Sequence, residues 1–122
     1  MTTKRTFVSN AFSMNMVEAK FAEAAFDIMV DPLTPEQAGQ YIRENAESMV
    51  YSMGNPVTVE LANRMCNTEI PVDHAQIDMK NGDNMIVFQY NGPKLIPGRP
   101  APAGGSFRIF MLELAEIDSG EL

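Results

Sequence analysis

At 122 residues, 45% hydrophobic and 20% charged, the chain has the size and composition of one globular domain, residues 1–122. A formal charge of −7 and nine scattered Lys and Arg residues disfavour duplex DNA as a partner, because broad nucleic-acid binding needs a cationic face that releases counterions. No apolar run approaches the roughly 20 residues of a membrane span, no basic-then-apolar start signals export, and one Cys with one His makes neither a disulfide nor a zinc site.

These features predict a cytoplasmic protein with no membrane association, no cofactor and no metal. A small anionic ligand stays compatible with the acidic balance, since backbone N–H groups and a few cations can converge locally.

The first strand is expected over Arg5–Asn10, where Phe7 and Val8 are β-formers. It runs into Asn10, Phe12, Ser13 and Asn15 with no Gly or Pro to mark an ordinary turn. Short polar side chains at a strand end donate and accept hydrogen bonds without bulk or fixed charge, as a ligand pocket requires; a capped turn fits the same residues. Phe26–Val30 reads as a second strand, stopped by Asp31-Pro32.

Thr34-Pro-Glu-Gln37 is a capping-box helix start with Pro35 in the first turn, and Ala38, Tyr41, Ile42, Ala46 and Met49 follow at helical spacing. Gly54-Asn-Pro-Val-Thr58 opens a second helix, with Asn55 as N-cap, running through Val57, Leu61, Ala62 and Met65 to a left-handed stop at Asn67.

Gln76–Met79 and Met85–Tyr90 read as strands joined by a type I′ turn at Asn81-Gly82. Phe107–Leu114 is nearly all apolar, which predicts a central strand buried on both faces. Met49, Met65, Met79, Met85 and Met111 fall at core phases. Between the last two strands, eight of the fifteen residues 91–105 are Gly or Pro. So long a loop is expected to act as a lid, with a plain connector as the alternative, because its prolines limit the entropy lost on closing. The fold class is therefore α+β: a mixed sheet of about five strands with flanking helices.

The stretch Asn10-Ala-Phe-Ser-Met-Asn-Met16 resembles the N-terminal signature of the viral ring nucleases. These are type III anti-CRISPR proteins of archaeal viruses and phages that bind and cleave cyclic tetra-adenylate without a metal. Gly54-Asn55-Pro56-Val57-Thr58 resembles the family's Gly-His-x-x-Thr helix start, and Met65-Cys66-Asn67 its Leu-Cys-Gly-like helix end. Pro71-Val72-Asp73-His74 is similar to its Pro-x-Asn-Arg segment. Gly92-Pro93-Lys94-Leu95-Ile96-Pro97-Gly98 is similar to the phage members' Gly-Pro-Arg-Leu-Pro-Glu-Gly. Order and spacing agree over about Phe7 to Glu113.

The resemblance implies a homodimer with one pocket for a cyclic oligonucleotide across its two-fold axis. By that resemblance Asn10, Phe12, Ser13, Gly54, Asn55, Thr58, His74 and Lys94 are the ligand-binding residues. The family's chemistry has the helix-start His as general acid, a task for a group that titrates near neutrality. Asn55 holds that place and does not titrate. Lys94 keeps the charge of the family's Arg without its bidentate fork. Pro97 stands for an acidic residue, and His74, a weak substitute acid, for an Arg. No catalytic set is intact.

The reading is a phage-type anti-defence protein that sequesters a cyclic oligoadenylate without efficient cleavage. One alternative is an active ring nuclease with rearranged residues. Another is a DNA- or protein-binding regulator.

Overall fold

The computed structural model describes residues 5–99 and 102–117. Five strands form one mixed sheet: β1 (Thr6–Ser9), β2 (Phe26–Pro32), β3 (Met49–Ser52), β4 (Asn84–Asn91) and β5 (Ser106–Glu116), in the order β2-β5-β4-β1-β3. β3, β1 and β4 run parallel, whereas β5 pairs antiparallel with both β4 and β2. Two helices, α1 (Pro35–Glu44) and α2 (Pro56–Cys66), complete the α+β architecture expected from the sequence. No helix among the described residues is long and apolar enough to cross a membrane.

Strand alternation divides the core. On one face Val8, Ile86, Phe88 and Ile109 pack under Ala38 and Ile42 of α1 and Val59, Ala62 and Cys66 of α2. On the other, Phe7, Met85, Val87, Leu112 and Leu114 meet Val17 and Met79, with Phe12, Met16 and Phe21 of the 10–25 segment packed against them. That segment forms two short 3₁₀ turns rather than a helix.

Local signals place the helix ends. Thr34 and Gln37 form the expected reciprocal capping box, Pro35 opens α1, and Asn67 closes α2 at φ +55°.

Five expectations are corrected. The first helix does not reach Met49. Asn45 leaves helical geometry while its N–H and side-chain amide both return to the Tyr41 carbonyl. Met49-Val-Tyr-Ser52 then pairs parallel with β1 as β3, because tertiary pairing outweighs helical spacing.

Gln76–Met79 is no strand; only Met79 bridges, parallel, to Val17. The Asn81-Gly82 turn closes Lys80 O to Asp83 N–H, with φ positive at Gly82 alone (+85°), whereas type I′ needs it at both positions. The competing element is Asp83, 3% exposed, whose carboxylate accepts from the Arg5 guanidinium, the Arg5 N–H and the Lys80 N–H. Those bonds deliver the chain to β4 beside β1 instead of back along residues 76–79.

β4, not β5, is the central strand, buried from Asn84 to Phe88. Met65 is exposed rather than in the core, because the buried face of α2 is made by Thr58, Val59, Ala62 and Cys66.

Candidate functional site

Parallel strands end together, and the chain leaving a carboxyl end is free to build a site. Here Asn10 follows β1, Met53-Gly54-Asn55 follows β3, and Gly92 follows β4. β4 also runs beyond its neighbour: Ser9, the last residue of β1, pairs with Val87, and among the described residues only β5 accompanies residues 88–91. The 92–105 connector therefore starts from a projecting hairpin.

Beneath it lies an open cleft of about 550 Å³ lined by Asn55, Val57, Tyr90, Gly92, Lys94, Leu95 and Pro97. Asn55 and Lys94, far apart in sequence, are brought together there. The Asn55 Oδ1 accepts from Val57 N–H (3.0 Å) and Thr58 N–H (3.4 Å), while its backbone carbonyl accepts from Val59 N–H. Pro56 has no N–H to give. The helix start is thus satisfied by its own cap. The Val57 and Thr58 N–H groups are therefore not free to hold a phosphate. What Asn55 still offers is its side-chain NH₂.

His74 stacks against Gly54 so closely that a Cβ there would fall 1.8 Å from the imidazole. Its segment hydrogen-bonds along the end of β3, with Asp73 N–H on the Met53 carbonyl and Ala75 N–H on the Tyr51 carbonyl. The ring is exposed. Thr58 is buried, and its N–H is held by Asn55.

Asn10 and Ser13 are exposed, and Phe12 packs into the second core cluster; none of the three lines the Asn55–Lys94 cleft. Ser9, buried beside them, folds the chain back by donating to the Ala11 carbonyl and accepting the Ala11 N–H. The expected residues therefore fall into two groups on one rim: Asn10, Phe12 and Ser13 after β1, and Gly54, Asn55, Thr58, His74 and Lys94 after β3 and β4.

Tyr90, near the end of β4, lines the cleft as well, and nothing in the sequence around it singles it out. Among the described residues no group of three His, Cys, Asp or Glu is arranged to hold a metal ion.

The fold and rim define a small α+β protein with an open cleft at the carboxyl ends of its parallel strands. The model of the STIV B116-like family matches residues 6–98, and the chain belongs to that family. A similar solved structure is B116 of Sulfolobus turreted icosahedral virus, a viral protein. The two share 20% identity, covering 89% of this chain and 98% of B116, at a TM-score of 0.74. Among curated protein sequences none matches.

Proposed function

We propose that the protein is a phage-type anti-defence factor that captures a cyclic oligonucleotide of cyclic oligoadenylate type and does not cut it efficiently. The observation that carries this reading is Asn55. It stands where the resemblance calls for a general acid, its Oδ1 is committed to its own helix, and it shares a cleft with the cation Lys94. An amide and an ammonium hold a phosphate, but the amide supplies no proton to a leaving oxygen. Sequestration needs affinity and abundance rather than turnover.

A homodimer would give a two-fold ligand two copies of each rim residue. The open sheet edge supports that assembly: among the described residues β2 borders only β5, and it exposes Ile28 (38%), Met29 (49%) and Val30 (55%). The other edge, β3, is already lined by the hydrogen bonds from Asp73 and Ala75.

Active cleavage is the second reading, favoured by one specific observation: the exposed His74 imidazole rests on the residue preceding Asn55. A DNA- or protein-binding regulator is a third, and the charge of −7 counts against its DNA form.

The deciding experiment incubates the protein with labelled cyclic tri-, tetra- and hexa-adenylate and separates bound, free and linear products. Capture of one ring with the ring intact after long incubation at neutral pH is expected. Multiple-turnover cleavage overturns the sequestration reading in favour of the nuclease, and no binding to any ring removes both.

A further inference from the structure

Three contacts converge on Tyr90, near the end of β4. Its ring packs on Phe107 across β5, centroids 5.3 Å apart. Its hydroxyl donates a short hydrogen bond to the carbonyl of Pro93, the peptide immediately before Lys94. It is also wedged against the two glycines that open and close the connector. A Cβ on Gly92 would stand 2.9 Å from the Tyr90 Oη, and one on Gly105 would stand 2.5 Å from it and 3.0 Å from the ring.

The two glycines touch each other as well, since a Cβ on Gly92 would lie 2.5 Å from the Gly105 Cα. Gly92 sits at φ +149°, a conformation that side chains avoid. The connector is thus pinched shut at its base by backbone-to-backbone approach, and one aromatic side chain bolts the pinch.

We propose that Tyr90 is the latch of the 92–105 connector and a positioning residue that holds Lys94 over the cleft. Were Tyr90 a packing residue only, its ring on Phe107 would suffice and the hydroxyl would be dispensable. The hydroxyl instead fixes the peptide plane next to Lys94, and the same ring forms a wall of the cleft that Lys94 and Asn55 share. The consequence for a ligand rests on the binding reading above; the latch itself does not.

Tyr90→Phe separates the two roles, because it keeps the ring and removes the Oη. Two connector amides report on the loop: Arg99 N–H in its middle, bonded to the Ile96 carbonyl, and Gly105 N–H at its base, bonded to the Pro102 carbonyl. In the ligand-free protein, NMR-detected hydrogen exchange at both should quicken about tenfold in Tyr90→Phe while the β1 amides keep their protection. Gly105→Ala, which drives the ring out without removing it, should give the same local pattern.

Unchanged exchange at Arg99 and Gly105 in Tyr90→Phe overturns the latch. Acceleration spread equally over β4, β5 and β1 overturns it too, as the mark of a general structural role. In the binding arm, labelled cyclic tetra-adenylate should dissociate about three- to tenfold faster from Tyr90→Phe, one hydrogen bond's worth. A loosened connector with unaltered dissociation overturns the positioning of Lys94. If the parent protein does not bind the probe, the functional reading fails, and the exchange measurement alone decides the latch.

Discussion

Gly39 lies against the carbonyl oxygen of Cys66 so closely that a Cβ on it would stand 2.1 Å away. The contact is helix backbone on helix backbone, and it sets the spacing of α1 and α2. Arg43, one turn further along α1, reinforces it by donating to the carbonyls of Cys66 and Asn67, both at 2.8 Å, which caps the carboxyl end of α2.

Gly39→Ala should therefore destabilise the protein although alanine favours a helix. The obstacle is backbone, so the helices must part, at a cost of about 1–3 kcal/mol for overpacking. Chemical denaturation checks this: a lowered midpoint is expected, and parent-like stability would show that the helix pair is free to slide.

Asn55 can be divided into cap and ligand contact by choice of substitution. Asn55→Ala removes the Oδ1 cap and should cost about 1 kcal/mol of stability. Asn55→Asp keeps the acceptor and adds a charge that suits a helix start, so its melting temperature should equal or exceed the parent's. An anionic ligand should nonetheless bind it worse, by charge repulsion and loss of the amide donor. Calorimetric titration with cyclic tetra-adenylate alongside thermal melts tests the split. Asn55→His alone should restore little cleavage, because Lys94 and Pro97 also depart from the ring-nuclease pattern.

Asn10→Ala and Ser13→Ala should leave the fold intact, both side chains being exposed. Each should weaken ligand binding by about 1–2 kcal/mol if the two rim groups act on one ligand. Loss of stability with unchanged affinity per folded molecule would assign this segment to the turn that Ser9 organises.

Lys94→Ala should raise the ligand's dissociation rate more than it lowers association, since a short-range contact to a held phosphate acts after encounter. Stopped-flow traces with labelled ligand separate the two rates. A change confined to association would recast Lys94 as a steering charge.

Burial pushes the Cys66 thiol up to about 11 from its ordinary 9.0, with Glu36 adding to the rise and Arg43 opposing it. Folding thus keeps the thiol protonated at a pH where the unfolded chain has released its proton. Stability is insensitive to this group below about pH 9 and falls between about 9 and 11. Iodoacetamide at pH 8 should spare the native protein and label it once urea unfolds it; fast native labelling would contradict the burial.

Much of the fold was legible because its signals are local. The Thr34–Gln37 box, Pro35, Asn55 and Asn67 each declare a helix end through their own chemistry. β3 was not legible, since four residues after a helix carry too little pattern to announce a strand, and their assignment is made by β1 alongside. The false hairpin at Asn81-Gly82 has the same origin: a genuine turn, whose exit Arg5 and Asp83 redirect across the molecule. At the candidate site, the family resemblance named Asn55 and Lys94, and the fold puts both on one cleft that Asn10, Phe12 and Ser13 do not line. The latch at Tyr90 was invisible, because a tyrosine two residues before a glycine has no meaning until a second glycine, Gly105, closes on it.

β1 carries a consequence for how the molecule is born. It is the earliest strand to emerge in synthesis, yet Thr6 is flanked in the finished sheet by Met49 and Asn84. Its apolar residues Phe7 and Val8 must therefore wait for β3 until residue 52 has been made and for β4 until residue 91, so the sheet cannot assemble in the order of translation. Long-range parallel pairing of this kind is slow to form. Through that interval Phe7 and Val8 stay open to chaperones and to aggregation with other nascent copies.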